Sequence, residues 1–147
     1  MATVEIKKLD PNAVIPTSGS ASAAGYDLYA CLPGDGEITI PAHHTAMIPT
    51  GIAVALPEGT FGGVFARSGL ASREGLRPAN CVGVIDSDYR GECLVALHND
   101  GESARTIRSG ERIAQLVLLP YLPITFQEVS ALSKTARGAG GFGSTGK

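Results

Sequence analysis

The sequence contains no tryptophan, and aromatic residues of all kinds make up only 5% of its 147 residues. It also has no long run of Lys or Arg, and its formal net charge is −2. Because nucleic acid is bound mainly through phosphate contacts from basic side chains, these absences predict no nucleic-acid partner. No stretch approaches the roughly 18 consecutive apolar residues of a membrane helix, so we expect no membrane association.

Cysteine is also scarce. Cys31, Cys81 and Cys93 form no Cys-x-x-Cys pair, and their odd number leaves at least one thiol outside any disulfide scheme. Residues 1–10 contain no apolar segment typical of a signal peptide. Both features predict reduced thiols and a cytoplasmic protein.

Glycine, by contrast, is plentiful. The chain has 19 glycines, well above the usual share of about 7%. Apolar residues make up 44% and charged residues 18%, which suits one folded domain with its own core. Abundant glycine favours many turns between short strands over long helices.

Short strand-like segments recur along the chain, and turn signals separate them. One short helix is predicted over 68–74, with Ser68 as its N-cap. This spacing predicts an all-β fold, either a jelly-roll-like barrel or a sandwich. The predicted strands span 4–9, 26–31, 37–40, 45–48, 52–56, 61–66, 82–85, 92–98, 104–107, 112–119 and 124–129.

Two of these strands, within 93–97 and 113–119, are apolar on both faces. A half-exposed strand would alternate apolar and polar residues. Either a partner subunit covers the second face, or the strands lie between two layers of the same chain.

One segment points to anion binding, and two polar residues elsewhere need partners. Arg67, Ser68 and Gly69 stand where a strand is predicted to pass into a helix, which brings together a guanidinium, a hydroxyl and free backbone N–H groups. Asp27 and Gln115 interrupt apolar strands, so each needs a partner or solvent. Gln115 serves either a phosphate oxygen or a neighbouring backbone group.

The segment 80–92 is predicted to form a β-hairpin with its turn near residues 88–89. Gly83 and Leu94 would then lie opposite each other, and glycine would let a flat ring approach the backbone. Asp86 ends an apolar strand, where we expect partial burial and a general base.

The last eleven residues, 137–147, include five glycines. Ordering such a segment costs much conformational entropy. It nevertheless carries an Arg, a Phe and hydroxyl groups. The segment is either a lid that orders over a ligand or a plain disordered terminus.

Taken in order, these segments resemble the five motifs of the homotrimeric dUTP diphosphatases (dUTPases). The resemblance spans 24–146 and includes Arg-Ser-Gly-Leu-Ala, Ile-Asp-Ser-Asp-Tyr-Arg-Gly-Glu, Gly-x-Arg-Ile-Ala-Gln-Leu and Gly-Gly-Phe-Gly-Ser-Thr-Gly. It implies a dUTPase-like β-barrel over 1–133 and a flexible lid over 134–147. It also implies a homotrimer whose subunits share three sites, and hydrolysis of dUTP to dUMP and pyrophosphate in nucleotide metabolism.

The resemblance also implies a role for each site residue. Asp86 would be the general base that activates water, and Tyr89 would pack against the deoxyribose. Mg²⁺ would be held mainly by triphosphate oxygens, with Asp27 acting only through metal-bound water. The implied uracil-reading residues are Asn80, Gly83, Val84, Ile85, Asp86 and Leu94. The implied phosphate and lid residues are Arg67, Ser68, Gly69, Gln115, Arg137, Phe142, Gly143 and Ser144.

Two other interpretations differ in function. A dCTP deaminase resembles this family in architecture but uses a Glu base. Asp86 and the Phe-Gly-Ser tail argue against this interpretation. A non-catalytic trimeric β module would need neither Asp86 nor the tail.

Overall fold

The computed structural model describes residues 3–141, and within them it contains strands, one 3₁₀ turn and one π-helical turn. The all-β prediction is therefore confirmed. The strands are β1 (Glu5–Lys8), β2 (Thr17–Ser18), β3 (Tyr26–Tyr29), β4 (Glu37–Ile40), β5 (Thr45–Pro49), β6 (Ile52–Ala55), β7 (Thr60–Phe65), β8 (Leu76–Pro78), β9 (Gly83–Ile85), β10 (Leu94–Asn99), β11 (Arg105–Arg108) and β12 (Arg112–Pro120).

The pairings between these strands are antiparallel. One sheet has the order β2-β3-β12-β7-β9 and a second has the order β5-β10-β8, while β1 pairs with β6 and β4 with β11. Most paired strands are far apart in sequence, as expected of a jelly-roll-like fold. The last strand, β12, lies between β3 and β7, and this places its residues beside both.

A single apolar core receives side chains from these sheets. Ile40, Ile48, Leu97 and Ile113 are at most 1% exposed. Ile40, Ile48 and Leu97 each lie between residues that are more exposed, as the two-residue repeat of a β-strand requires. No helix within residues 3–141 has the length and apolar character needed to cross a bilayer.

Ten of the eleven predicted strands are present, with their ends shifted by at most two residues. The prediction of a strand over 124–129 is wrong. That segment has no strand partner among the described residues, and its Ile124 and Phe126 side chains are 70% and 93% exposed. Local composition favoured a strand there, but a strand also needs a neighbour to receive its hydrogen bonds.

The predicted helix is present in a shorter form. A π-helical turn spans Leu70–Glu74 and is preceded by Gly69, with no capping hydrogen bond from a side chain. Ser68 as an N-cap was therefore wrong. Its carbonyl instead accepts a hydrogen bond from the Ser72 hydroxyl at 2.7 Å.

Strand β10 was predicted to be covered on both faces, by a partner subunit or by a second layer of the same chain, and the described residues of the single chain cover only one face. Val95, Leu97 and Asn99 are buried, while Ala96 and His98 are half-buried and Leu94 is 45% exposed. The outer face of β10 is therefore not covered by a second layer among the described residues.

Asn99 is completely buried and joins two turns at one end of the fold. Its Nδ2 donates to the carbonyls of Ile40 at 3.0 Å, Pro41 at 3.2 Å and Ser103 at 2.9 Å. Its Oδ1 accepts the Gly101 N–H at 2.9 Å. One side chain thus provides hydrogen bonds for backbone groups that would otherwise be buried without them.

We expect Asn99→Ala to lower the free energy of unfolding by about 2–4 kcal/mol, because it leaves several buried backbone groups unpaired. Urea denaturation at one fixed protein concentration measures this, since any self-association links stability to concentration. Asn12→Ala, at an exposed asparagine, is the matched control. An equal, small effect of both substitutions would contradict this account of Asn99.

Candidate active site

An open cavity of about 810 Å³ lies beside the end of β7. The chain leaves this strand and places Arg67, Ser68 and Gly69 in the cavity wall. The Arg67 carbonyl accepts a hydrogen bond from the Ala71 N–H at 3.0 Å, which holds the segment against the π-helical turn. We call this space the arginine cavity; its wall includes Gly25, Asp27, Arg67, Ser68, Arg112 and Gln115.

Asp27 is the centre of the charge arrangement in this cavity. Its side chain is 16% exposed, and its Oδ1 accepts a hydrogen bond from Nε of Arg67 at 2.9 Å. Its Oδ2 accepts a hydrogen bond from NH1 of a second guanidinium, that of Arg112, at 3.3 Å. Two cations around one carboxylate leave a net positive charge, which suits an anionic ligand.

A β-bulge places Arg112 and Gln115 on the same cavity wall. Three residues apart on a regular strand, they would point to opposite faces. The register of β12 against β3 shifts between Arg112 and Ala114, and the consecutive residues Ile113 and Ala114 are both buried. The extra residue turns Arg112 toward the side that Gln115 faces.

For Gln115 the sequence left two roles open, binding a phosphate oxygen or binding a neighbouring backbone group. Its Nε2 donates to the Ala66 carbonyl at 2.9 Å, so it serves a backbone group. An amide nitrogen has a second N–H, which remains for another acceptor. A Cβ added at Gly25 would collide with the Gln115 side chain, so glycine at this position makes room for the amide.

A second cavity of about 280 Å³ lies around the segment that follows β9. We call it the tyrosine cavity; its wall includes Met47, Val84, Ile85, Asp86, Tyr89 and Leu94. Val84 is 62% exposed and Tyr89 is 44% exposed, so much apolar surface in this cavity faces solvent in the single chain. Asp86 is also exposed, and the expected partial burial is not found.

Cys93 lines the tyrosine cavity, but its thiol is unsuited to nucleophilic attack. Burial, with a smaller contribution from the charge of Glu92, raises its pKa to about 11. The thiol is therefore protonated at neutral pH, whereas the thiolate is the nucleophilic form.

The predicted β-hairpin over 80–92 does not form. Strand β9 pairs with β7, where Gly83 lies opposite Val64, while β10 pairs with β5 and β8. The loop between β9 and β10 instead closes on itself, because the Tyr89 N–H donates to the Asp86 carbonyl at 3.1 Å and the Tyr89 hydroxyl donates to the Glu92 carbonyl at 3.0 Å. Gly83 and Leu94 therefore belong to different sheets.

Asn80 and Gly83 lie outside the walls that residues 3–141 form around the two cavities. They lie close to each other, since a Cβ added at Gly83 would be 3.4 Å from the Asn80 side-chain nitrogen and 3.2 Å from Cβ of Val64. Glycine at this position makes room for Val64 and Asn80, and the approach of a flat ring to its backbone stays a prediction.

Arg137 is absent from the walls of both cavities. It is exposed, and its Nε donates to the Gly140 carbonyl at 2.7 Å within the tail. The other predicted tail residues, Phe142, Gly143 and Ser144, lie outside the described residues. Among residues 3–141, the predicted site residues therefore line one of two cavities, except for Asn80, Gly83 and Arg137, which line neither.

Several residues in the cavity walls were missed by sequence analysis. Arg112 and Cys81 line the arginine cavity, and Met47 and Glu92 line the tyrosine cavity. Arg112 stands within the quoted Gly-x-Arg-Ile-Ala-Gln-Leu motif, so the motif was a usable signal. Met47 reaches its place through the pairing of β5 with β10, for which the local sequence carries no signal.

The donor groups of the described residues do not form a cage of protein ligands for a metal. Residues 3–141 contain no group of three or more His, Cys, Asp or Glu placed to hold a metal ion. The arginine cavity offers the Asp27 carboxylate, which already accepts two guanidinium groups. Such a donor set fits Mg²⁺ only if the ion keeps its waters and takes oxygens from a ligand.

The chain is similar to dUTPases of other organisms. A family model described as dUTPase matches residues 11–146. A deoxyuridine 5'-triphosphate nucleotidohydrolase of Desulfitobacterium hafniense is 52% identical over 133 residues, which cover 90% of this chain and 87% of that protein. One from rice is 44% identical over 143 residues, covering 97% of this chain and 80% of that protein.

A solved structure has the same fold. The dUTPase of Staphylococcus bacteriophage 80alpha, determined with dUPNHPP, superposes with a TM-score of 0.89. It is 29% identical, and the match covers 100% of both chains.

Proposed function

The chain belongs to the dUTPase family and is a dUTP nucleotidohydrolase, and we propose that it cleaves dUTP by attack of water on the α-phosphorus. The oxygen of water forms a bond to this phosphorus, and the bond from the phosphorus to the oxygen bridging to the β-phosphate breaks. The products are dUMP and pyrophosphate. The observation that carries this proposal is the convergence of Arg67, Arg112 and the Ser68–Gly69 segment around one open, positively charged cavity.

The arginine cavity binds the triphosphate. Arg67, Ser68 and Gly69 provide a guanidinium, a hydroxyl and backbone N–H groups, and Gln115 provides its second amide N–H. Phosphoryl transfer depends mainly on positioning and on stabilising the charge that spreads over the phosphate oxygens. The ion pairs with Asp27 hold the guanidinium groups of Arg67 and Arg112 in the cavity wall.

The tyrosine cavity binds the nucleoside. Tyr89, held by its hydroxyl to the Glu92 carbonyl, packs against the deoxyribose and leaves no room for a 2′-hydroxyl. Asn80 and the backbone from Gly83 to Asp86, with the backbone of Leu94, read the uracil edge. Hydrogen bonds from these groups exclude cytosine, because its 4-amino group reverses the order of donor and acceptor.

Asp86 is the general base in this proposal. Its exposed carboxylate accepts the proton of the attacking water as the new oxygen–phosphorus bond forms. Exposure in the single chain leaves the carboxylate accessible to both water and a bound nucleotide.

Mg²⁺ coordinated by triphosphate oxygens would neutralise charge on the leaving pyrophosphate. Asp27 would contact it through bound water. The single carboxylate of the arginine cavity supports this indirect role.

A homotrimer accounts for the separation of the two cavities, because each complete site would combine walls from different subunits. Apolar surface supports this assembly: Leu122, Phe126 and Leu132 are 86%, 93% and 87% exposed in the single chain. Large exposed apolar segments are typical of surfaces that a partner covers. The tail would then close a neighbour's site, with Arg137 at the γ-phosphate, Phe142 stacked on uracil, and Gly143 and Ser144 over the phosphates.

The lid boundary at 133–134 and the cytoplasmic location stay predictions. Strand β12 ends at Pro120, and residues 121–139 are exposed. The chain therefore leaves the barrel before the predicted boundary, which is compatible with a long connection to the lid.

The substrate assay tests the proposal directly. Purified protein with Mg²⁺ is incubated separately with dUTP, dCTP, dTTP and UTP, and both pyrophosphate and ammonia are followed. We expect pyrophosphate from dUTP only. Ammonia from dCTP would instead indicate a deaminase, and the absence of product from every nucleotide would favour a non-catalytic module.

A further inference from the structure

Gly91 lies in the loop between β9 and β10, between Tyr89 and Glu92 of the tyrosine cavity wall. If a Cβ were added to Gly91, the three nearest heavy atoms outside its two sequence neighbours would all belong to the Tyr89 side chain. This Cβ would collide with the Tyr89 hydroxyl and would lie 2.5 Å from Cζ and 2.9 Å from Cε2. The Tyr89 side chain therefore occupies the space that a side chain at position 91 would need.

The backbone of Gly91 does not by itself require glycine. Its φ angle lies outside the left-handed region, whereas Gly51, Gly59 and Gly75 have φ angles of 67°, 76° and 68°. A left-handed φ strains a residue that carries a Cβ, and alanine at position 91 would not meet that strain. What glycine supplies at position 91 is therefore space for the Tyr89 ring.

Hydrogen bonds fix both ends of Tyr89 within the loop. Its N–H donates to the Asp86 carbonyl at 3.1 Å, and its hydroxyl donates to the Glu92 carbonyl at 3.0 Å. The ring has to pass across residue 91 to reach that carbonyl. The empty position at Gly91 and the hydrogen bond to Glu92 thus define one position of the ring.

A methyl group at position 91 would move the Tyr89 ring more readily than the backbone. The backbone that follows Gly91 is anchored, because Glu92 Oε1 accepts a hydrogen bond from the Gly51 N–H at 2.7 Å and Cys93 is only 3% exposed. Tyr89 is 44% exposed, so its ring can rotate into solvent at the loss of its hydrogen bond to the loop.

We propose that Gly91 determines specificity for the sugar: it leaves space for the Tyr89 ring in the position that excludes a 2′-hydroxyl. This inference rests on the proposed function, in which Tyr89 packs against the deoxyribose. Gly91 touches no reacting atom and acts through Tyr89, so it is a positioning residue. Both residues belong to one loop of one chain, and their contact does not depend on how walls from different subunits combine.

The first test compares Gly91→Ala with the wild-type chain on dUTP, UTP and dCTP. We expect the ratio of kcat/KM for dUTP to that for UTP to fall by about tenfold or more, the size expected when a pocket stops rejecting one small group. The ratio for dUTP and dCTP should change by less than about twofold, because other groups read the base. An unchanged ratio for dUTP and UTP, or equal falls in both ratios, would overturn the inference.

The same substitution in a Tyr89→Ala background is the matched control. It makes the same change to the backbone, but no ring remains to be displaced. We expect Gly91→Ala to lower kcat/KM for dUTP when Tyr89 is present and to leave it unchanged in Tyr89→Ala, because the two residues act through one contact. Equal losses in both backgrounds would assign the effect to the loop backbone and would overturn the inference.

Proton NMR of the wild-type chain without nucleotide separates this inference from the proposed function. We expect a nuclear Overhauser effect between the Gly91 Hα protons and the Tyr89 ring protons. This measurement needs no variant, so it also decides the matter if Gly91→Ala fails to fold. If the wild-type protein does not cleave dUTP, the proposed function fails, and the NMR result still decides whether the ring lies against Gly91. Absence of the effect would overturn the inference even if dUTP is cleaved.

Discussion

Asp86→Asn is expected to reduce kcat for dUTP by about a thousandfold or more while nucleotide binding persists, because an amide cannot accept the proton of the attacking water. The two side chains have nearly the same shape, and Asp86 is exposed, so the substitution should leave the fold intact. The groups that would bind phosphate belong to the other cavity. Steady-state release of pyrophosphate measures the loss in kcat, and titration with a non-hydrolysable dUTP analogue measures binding.

Asp88→Asn is the control for this substitution. Asp88 lies two residues further along the same loop and is also exposed, but it is absent from the tyrosine cavity wall. We expect the control to keep most of its activity, so a large effect must come from the carboxylate of Asp86. Substantial turnover by Asp86→Asn would exclude this residue as the base.

Deleting the chain from Arg137 onward is expected to lower kcat/KM for dUTP by about a hundredfold or more. The deletion removes a cation proposed to stabilise the phosphates and the lid proposed to exclude water. The fold should survive, because the described hydrogen bonds of Arg137 and Gly138 stay within the tail: Arg137 donates to Gly140, and Gly138 donates to Thr135.

Kinetics, thermal unfolding and sedimentation of the truncated protein measure these expectations together. Arg137→Gln isolates the contribution of the guanidinium, and Lys134→Gln removes an exposed cation just before the deleted segment as its control. Unfolding or dissociation of the truncated protein would show that the tail is structural, and full activity would remove its role as a lid.

The anion-binding part of the site was predictable because its chemistry is local. Arg67, Ser68 and Gly69 are consecutive, and any chain that follows this strand with a turn presents them together. Asp27 was also constrained, since a carboxylate in an apolar strand needs a cation, hydrogen bonds or solvent. The structure supplied the partners, Arg67 and Arg112, from segments distant in sequence.

Errors occurred where the outcome depends on a neighbouring strand. The segment 80–92 had the local pattern of a hairpin, but β9 pairs with β7 and β10 pairs with β5 and β8. The segment 124–129 had strand composition but no partner among the described residues. Strand β8 was missed because it is short and contains Pro78, and it exists only through its pairing with β10.

The order of amino acids by itself determined the all-β class, most strand positions, the anion-binding turn and the family motifs, because each depends on residue type and short spacing. Tertiary structure alone decided which strands pair and how the bulge in β12 brings Arg112 beside Gln115. The physical reason is that strand pairing is a choice among distant segments, made by burying the whole core at once, and local preferences are too weak to make it.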